Sequence, residues 1–179
     1  MKKLSLILSA VAFSFSFTNA QTFTLKSSDV GGQASYIQFA NTFGCQGQNI
    51  SPQLSWENAP KGTQSFAVTI YDKDAPTGSG FWHWVIFNIP VDVKELKSNA
   101  GNVPKNFAPK EAIQSNNDSG TPGYMGPCPA LGPSHQYLVT VYALRGKLDL
   151  DKSATPAVVG FNISMNTLAK ASIVFYAQQ

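Results

Sequence analysis

Charge and chemically versatile side chains are scarce in this chain. Asp, Glu, Lys and Arg make up 13% of its 179 residues, and there are only two histidines and two cysteines. No cluster of lysines and arginines occurs, which argues against nucleic acid as a partner, because that binding rests on a basic patch. No apolar run reaches the roughly 20 residues that a membrane-spanning helix requires. Absent too are a Gly-x-Ser-x-Gly elbow for a serine nucleophile and the HExxH or paired CxxC spacings of zinc sites. Neither a metal nor a cofactor is expected.

What is present begins with a leader. Met1-Lys2-Lys3 is a short basic segment, Leu4 to Phe17 is an apolar run, and Thr18-Asn19-Ala20 supplies small residues before Gln21. That pattern predicts a signal peptide over 1–20, cleaved before Gln21, and hence an exported protein, periplasmic or secreted, with no stable membrane insertion afterwards. Removing Lys2 and Lys3 takes the formal net charge from +3 to +1. Residues 21–179 make one domain of ordinary size. In an exported chain the pair Cys45 and Cys128, 83 positions apart, is more often bridged than free. A bridge closing so long a loop contributes roughly 4 kcal/mol on the chain-entropy model. Two buried thiols, or a reactive Cys128, are the alternatives.

The densest signal lies between Asp72 and Pro90. Asp72 and Asp74 precede a Pro76-Thr77-Gly78-Ser79-Gly80 turn, and Phe81 to Ile89 is aromatic or β-branched as strands prefer. Strict alternation would put His83 on one face with Val85 and Phe87, and Trp82 with Trp84 on the other. A second such passage, Gly123 to Tyr137, delivers His135 to the start of the apolar strand 138–144. Further strands are expected over 22–25, 36–39, 51–56 (an edge strand, for its Pro52), 65–71 and 171–177. A helix is expected from Pro156 to about Lys170 behind Thr155, with a weaker helical turn over 92–99. Residues 99–123 form a long polar loop of the kind that is functional or mobile. The whole reads as mainly β, an antiparallel β-sandwich of two sheets with one or two short peripheral helices.

Each histidine sits where a Gly/Pro-rich loop enters a core strand, which suggests one shared site. In an anion site the imidazoles would donate to a phosphate-like oxygen, an Asp would orient one ring, and N–H groups near Gly126 and Cys128 would complete a cradle. A zwitterionic head group would use the carboxylates as well, through its ammonium. The same residue types permit a metal site of Asp72, Asp74, His83 and His135, or hydrolysis with a His–Asp general base.

The motifs Asp72-Lys73-Asp74-Ala75-Pro76, Trp82-His83-Trp84-Val85, Gly123-Tyr124-Met125-Gly126-Pro127-Cys128-Pro129 and His135-Gln136-Tyr137 resemble those of the phosphatidylethanolamine-binding protein family, in particular its bacterial, Raf-kinase-inhibitor-like branch. Asn49 to Trp56 is similar too, and the resemblance runs from about Phe23 to Tyr176. It implies a two-sheet sandwich with a shallow anion or phospho-head-group pocket. By position Asp72, His83, Gly126 and His135 match the family's ligand-binding residues, and Asp74, Pro76, Trp82, Tyr124 and Tyr137 its pocket walls. It also implies a cis Ala75–Pro76 bond. The sequence departs from the family pattern at Lys73, Ser119, Ala130 and Gln136. The expected function is binding of a small anionic ligand. A weak hydrolase using the same residues, or an inhibitor acting through the pocket rim and the 99–123 loop, are the alternatives.

Overall fold

A computed structural model describes residues 21–179 of the protein; the expected signal peptide lies outside the described residues. Eight strands are present among them: β1 (Thr24–Lys26), β2 (Leu54–Glu57), β3 (Ser65–Asp72), β4 (Phe81–Pro90), β5 (Glu95–Leu96), β6 (Ile113–Gln114), β7 (His135–Leu144) and β8 (Thr167–Ala177). One α-helix, α1 (Pro156–Asn166), and a 3-10 turn at Val103–Lys105 complete them. The strands form two antiparallel sheets, a small one ordered β1-β2-β5 and a large one ordered β6-β4-β3-β7-β8.

The central strands are apolar on both faces because both faces of the large sheet are covered. Toward the small sheet, Phe66, Val68, Ile70, Trp84, Ile86, Val139, Val141 and Phe175 pack against Leu25, Leu54, Trp56 and Leu96. The Trp56 and Phe66 rings lie 5.3 Å apart across the interface, and each such aromatic contributes on the order of 2–3 kcal/mol by burial. On the outer face Ala67, Val85, Phe87 and Leu144 pack beneath Val159 and Ile163 of α1. The helix starts as its sequence predicts: Thr155 caps it by accepting from the Val158 N–H, with Pro156 in the first turn.

Several local expectations fail for tertiary reasons. Residues 36–39 form a turn rather than a strand, closed by Gln38 and Phe39 N–H groups donating to the Ser35 carbonyl, while the Gln38 side chain accepts from Ser35. The strand expected at the edge over 51–56 is β2, in the middle of the small sheet, starting beyond Pro52. Residues 95–96 are not helical but add β5 to its other side. Helix α1 stops at Asn166 because Thr167 onward pairs with β7, drawing into β8 four residues that were expected to be helical. The Ala75–Pro76 bond is trans, the ordinary isomer, not cis as the resemblance implied.

Asn88 anchors the far end of β4. Its backbone is left-handed (φ 56°) at a slip in the β3–β4 pairing. There its side chain donates to the Leu148 carbonyl at 2.9 Å and accepts from the Leu148 N–H at 2.7 Å. Asn88→Ala should therefore lower unfolding free energy by about 2–4 kcal/mol in urea, from two lost hydrogen bonds and a strained φ. A loss below 1 kcal/mol would show that this anchor does not matter.

Candidate functional site

Three neighbouring strands of the large sheet end side by side. Asp72 closes β3, opposite Phe81 at the start of β4 on one side and Tyr137 near the start of β7 on the other. One row beyond the hydrocarbon core the inner face thus turns polar. Tyr137 forms the floor, stacked parallel on Phe175 at 5.0 Å.

His83 reaches this row through a β-bulge. The register runs Ile70↔Trp84 and then Tyr71↔Trp82, so His83 has no partner on β3. The extra residue re-aims its side chain. His83 packs edge-on against Tyr137 and beside Phe81 (5.1 and 4.8 Å between ring centroids). The strict alternation expected from the sequence is therefore overturned. Trp84 lies in the inter-sheet core, Val85 and Phe87 in the outer cluster, and Trp82 against Tyr71 at 4.6 Å beside that outer cluster.

Together these residues form the base of a hollow of about 500 Å³, within the usual range for small-ligand sites. Asp72, Pro76, His83, His135 and Tyr137 of the expected set line it, with Phe43, Thr77, Phe81, Met125 and Leu131, which sequence reasoning missed. Its walls are apolar. The 43–45 and 128–131 segments that form two of them are tied by a disulfide, Cys45–Cys128, with Cα atoms 5.9 Å apart. Cys128 is thus not a reactive thiol, and no cysteine among the described residues is free.

The polar base is fastened at the δ nitrogens. His83 Nδ1 donates to the Met125 carbonyl at 2.8 Å, and the Met125 N–H returns a bond to the His83 carbonyl. His135 Nδ1 lies 2.8 Å from Asp72 Oδ2, while Asp72 Oδ1 accepts from the Asp74 N–H at 2.9 Å. All three side chains are nearly buried, at 2% exposure for Asp72, 4% for His83 and 6% for His135. The buried carboxylate is tolerable because it is paired. Among the described residues, neither ring's Nε2 has a partner in hydrogen-bond geometry. Burial lowers the His83 pKa below its ordinary value, with the Met125 carbonyl and the Asp72 charge opposing less strongly. Burial first, and then the Asp72 charge, raise the Tyr137 pKa; its hydroxyl has no partner in hydrogen-bond geometry.

Four residues expected at the site lie elsewhere. Asp74 turns to the surface, where its carboxylate accepts from the Gln136 N–H and pairs with Lys73, at 2.8 and 2.7 Å. The four-residue metal grouping is therefore not assembled, and no group of three or more candidate ligands occurs among the described residues. The Gly126 N–H is already committed to Asn49 Oδ1 at 2.7 Å. Gly126 is required because a Cβ there would strike the backbone of Gln38 and Ala40. Tyr124 lies behind the hollow, donating to the Gln38 carbonyl and edge-on to Trp84. Trp82 faces the opposite side of the sheet, because of the bulge.

A family model described as phosphatidylethanolamine-binding protein matches residues 27–178. The chain belongs to the phosphatidylethanolamine-binding protein family. The UPF0098 protein YbcL of Escherichia coli K12 is 41% identical over 174 residues, covering 94% of this chain and 95% of its own. YbhB of the same organism is 46% identical over 134 residues, 74% of this chain and 84% of its own. The crystal structure of E. coli YbcL, described as a new member of the mammalian family, superposes with a TM-score of 0.85 at 40% identity, covering 88% of this chain and 98% of that one. A homologue from Chlamydia trachomatis superposes at 0.72 with 25% identity, covering 90% and 99%.

Within this family fold, the state of His83 is open to measurement. Its folded pKa is depressed, so the unfolded chain binds the proton more readily. The folded state consequently loses stability as pH falls through the ordinary imidazole value of 6.5. Unfolding free energy should decline from pH 7 toward pH 5, and less steeply in His83→Asn. Equal slopes would contradict a neutral, buried His83. Separately, Gly126→Ala should cost about 2–4 kcal/mol in thermal or urea unfolding, because backbone rather than a movable side chain stands in the way.

Proposed function

We propose that this protein is an exported binding module whose hollow accepts a phosphate-bearing or other small anionic molecule. One observation carries the reading: two imidazoles from separate strands line a single hollow, each held at Nδ1 and neither with a hydrogen bond at Nε2 from the described residues. An imidazole donating from Nε2 would hold an anionic oxygen, and Asp72 fixes the orientation of the His135 ring through Nδ1. Apolar walls then lower the local dielectric and strengthen the contact. Family membership supports a small-ligand role. Export rests on the leader pattern of residues 1–20, with cleavage before Gln21, and the Cys45–Cys128 bridge suits an oxidising compartment.

A second reading draws on the rim. Phe43 and Leu131 are 74% and 82% exposed at the mouth of the hollow, and such residues would serve an inhibitor or interaction protein. A hydrolase would have to activate water through the His135–Asp72 pair. Among the described residues lining the hollow there is no serine, and the Thr77 hydroxyl donates to the Gly80 carbonyl.

Isothermal titration with inorganic phosphate and with phosphorylethanolamine separates these readings. The wild type should bind, and His135→Ala and His83→Ala should each weaken binding at least ~10-fold, the loss of one charge-assisted or buried hydrogen bond. Absence of binding by the folded wild type sinks the small-anion reading. Turnover of a phosphoester or ester panel that disappears in His83→Ala would favour the hydrolase.

A further inference from the structure

We propose that a second binding site lies on the outer face of the large sheet, in a trough beside α1 that takes a small aromatic carboxylate. The sheet itself separates this trough from the hollow, and the proposal stands whether or not the hollow binds an anion.

The trough exists because α1 covers only part of that face. The helix seals Ala67, Val85, Phe87 and Leu144 through Val159 and Ile163. Its flank along the trough carries only Ala157, Gly160 and Ser164, which share one side of the helix at successive turns. Side chains this small leave about 570 Å³ open above the sheet. Three residues cross the floor diagonally: Trp82 on β4, Thr69 on β3 and Tyr142 on β7. Each is about 7–8 Å from the next. Lys170 of β8 lies directly opposite Tyr142.

The polar groups of the trough define what it can hold. Thr69 is 2% exposed, yet its hydroxyl makes no hydrogen bond among the described residues, because its cross-strand neighbour Thr140 pairs with Ser172 instead. A buried polar group in that state calls for a partner from outside. The Tyr142 phenol is likewise unpaired among the described residues, and Lys170 enters none of their ion pairs. The Ser164 and Thr167 hydroxyls are already committed, donating to the Phe161 and Ile163 carbonyls. No carboxylate lines the trough. One cation and two hydroxyls with no acid beside them make a seat for an anionic oxygen. Beyond that seat the wall is Trp82, braced by Tyr71 at 4.6 Å, together with Ile163 and Ala157. A planar ring one diagonal step from its carboxylate would stack there. Lys170 is exposed, so its charge sets the sign of the ligand, while the ring and the buried Thr69 supply more of the affinity.

The test is titration of nitrogen-labelled protein, its disulfide intact, with hydrocinnamate, read from amide and indole N–H shifts. Saturable shifts should centre on Trp82, Gly160 and Lys170 and leave His83 and His135 unmoved. The neutral analogue hydrocinnamide should bind about 5–10-fold more weakly, for want of a charged acceptor. Cyclohexanepropionate should bind about 3–10-fold more weakly, for want of a ring that stacks. Thr69→Val should cost about 5–10-fold by removing one hydroxyl. Gly160→Leu should abolish binding by filling the trough, whereas Gly160→Ala should not, since a Cβ there meets nothing within 4 Å. Leucine favours a helix more than glycine does, so the plugged variant keeps its fold. Shifts confined to the hollow, no saturable shifts at all, or full binding by Gly160→Leu would each overturn the proposal. Equal affinity for hydrocinnamide or for cyclohexanepropionate would do so as well, because the site would then read neither the charge nor the ring assigned to its ligand.

Discussion

The arrangement of this molecule depends on one unpaired residue in a strand. Had β4 kept strict alternation against β3, His83 would have pointed with Val85 and Phe87 into hydrocarbon under α1. The slip at Ile70–Tyr71 turns it to the other side of the sheet. A bulge leaves backbone groups without ladder partners, and here a loop supplies them. Met125 donates to the His83 carbonyl, Asp118 to that of Trp82 and Ser115 to that of Val85, while Trp82 donates to the Asp118 side chain. The loop that satisfies the bulge also carries the Met125 carbonyl that orients the ring. Backbone repair and side-chain orientation are thus one set of contacts.

That coupling explains the long polar segment between the strong strands. From the sequence, residues 99–123 look like a functional or mobile loop. In the fold they include β6 and continue beside β4, closing the free edge of the large sheet. Gln114 reaches from this segment to the Trp84 indole at 2.7 Å, and the Ser51 hydroxyl fixes Gly101 beneath it. The edge strand left at that side, β6, is only two residues long, a poor template for pairing with another chain.

The strands were legible because β3, β4 and β7 are apolar on both faces, and only a sheet covered twice calls for that. The helix start was legible through Thr155-Pro156, and its end was not, because the pairing of Thr167 with Leu144 is a tertiary fact. For the site, the residue types were readable and their aim was not. Asp72, His83 and His135 meet as their shared context suggested. The bulge that carries His83 inward carries Trp82 outward, and no residue at 81–84 announces it. Gly126 is similar: its need for glycine comes from the backbone at Gln38, far away in sequence, which no local pattern encodes.

The two imidazoles differ because of what holds them, and that difference is built into the backbone route. A carbonyl partner can only accept and adds no formal charge, whereas a carboxylate partner sets a buried negative charge against its ring. Exchanging the two partners would leave the hollow with the same residues and its buried carboxylate beside the other ring. Residue composition alone therefore does not determine how charge is placed at the base of the hollow. The acceptor that each Nδ1 meets does, and that follows from Met125 lying against β4 while Asp72 lies beside β7.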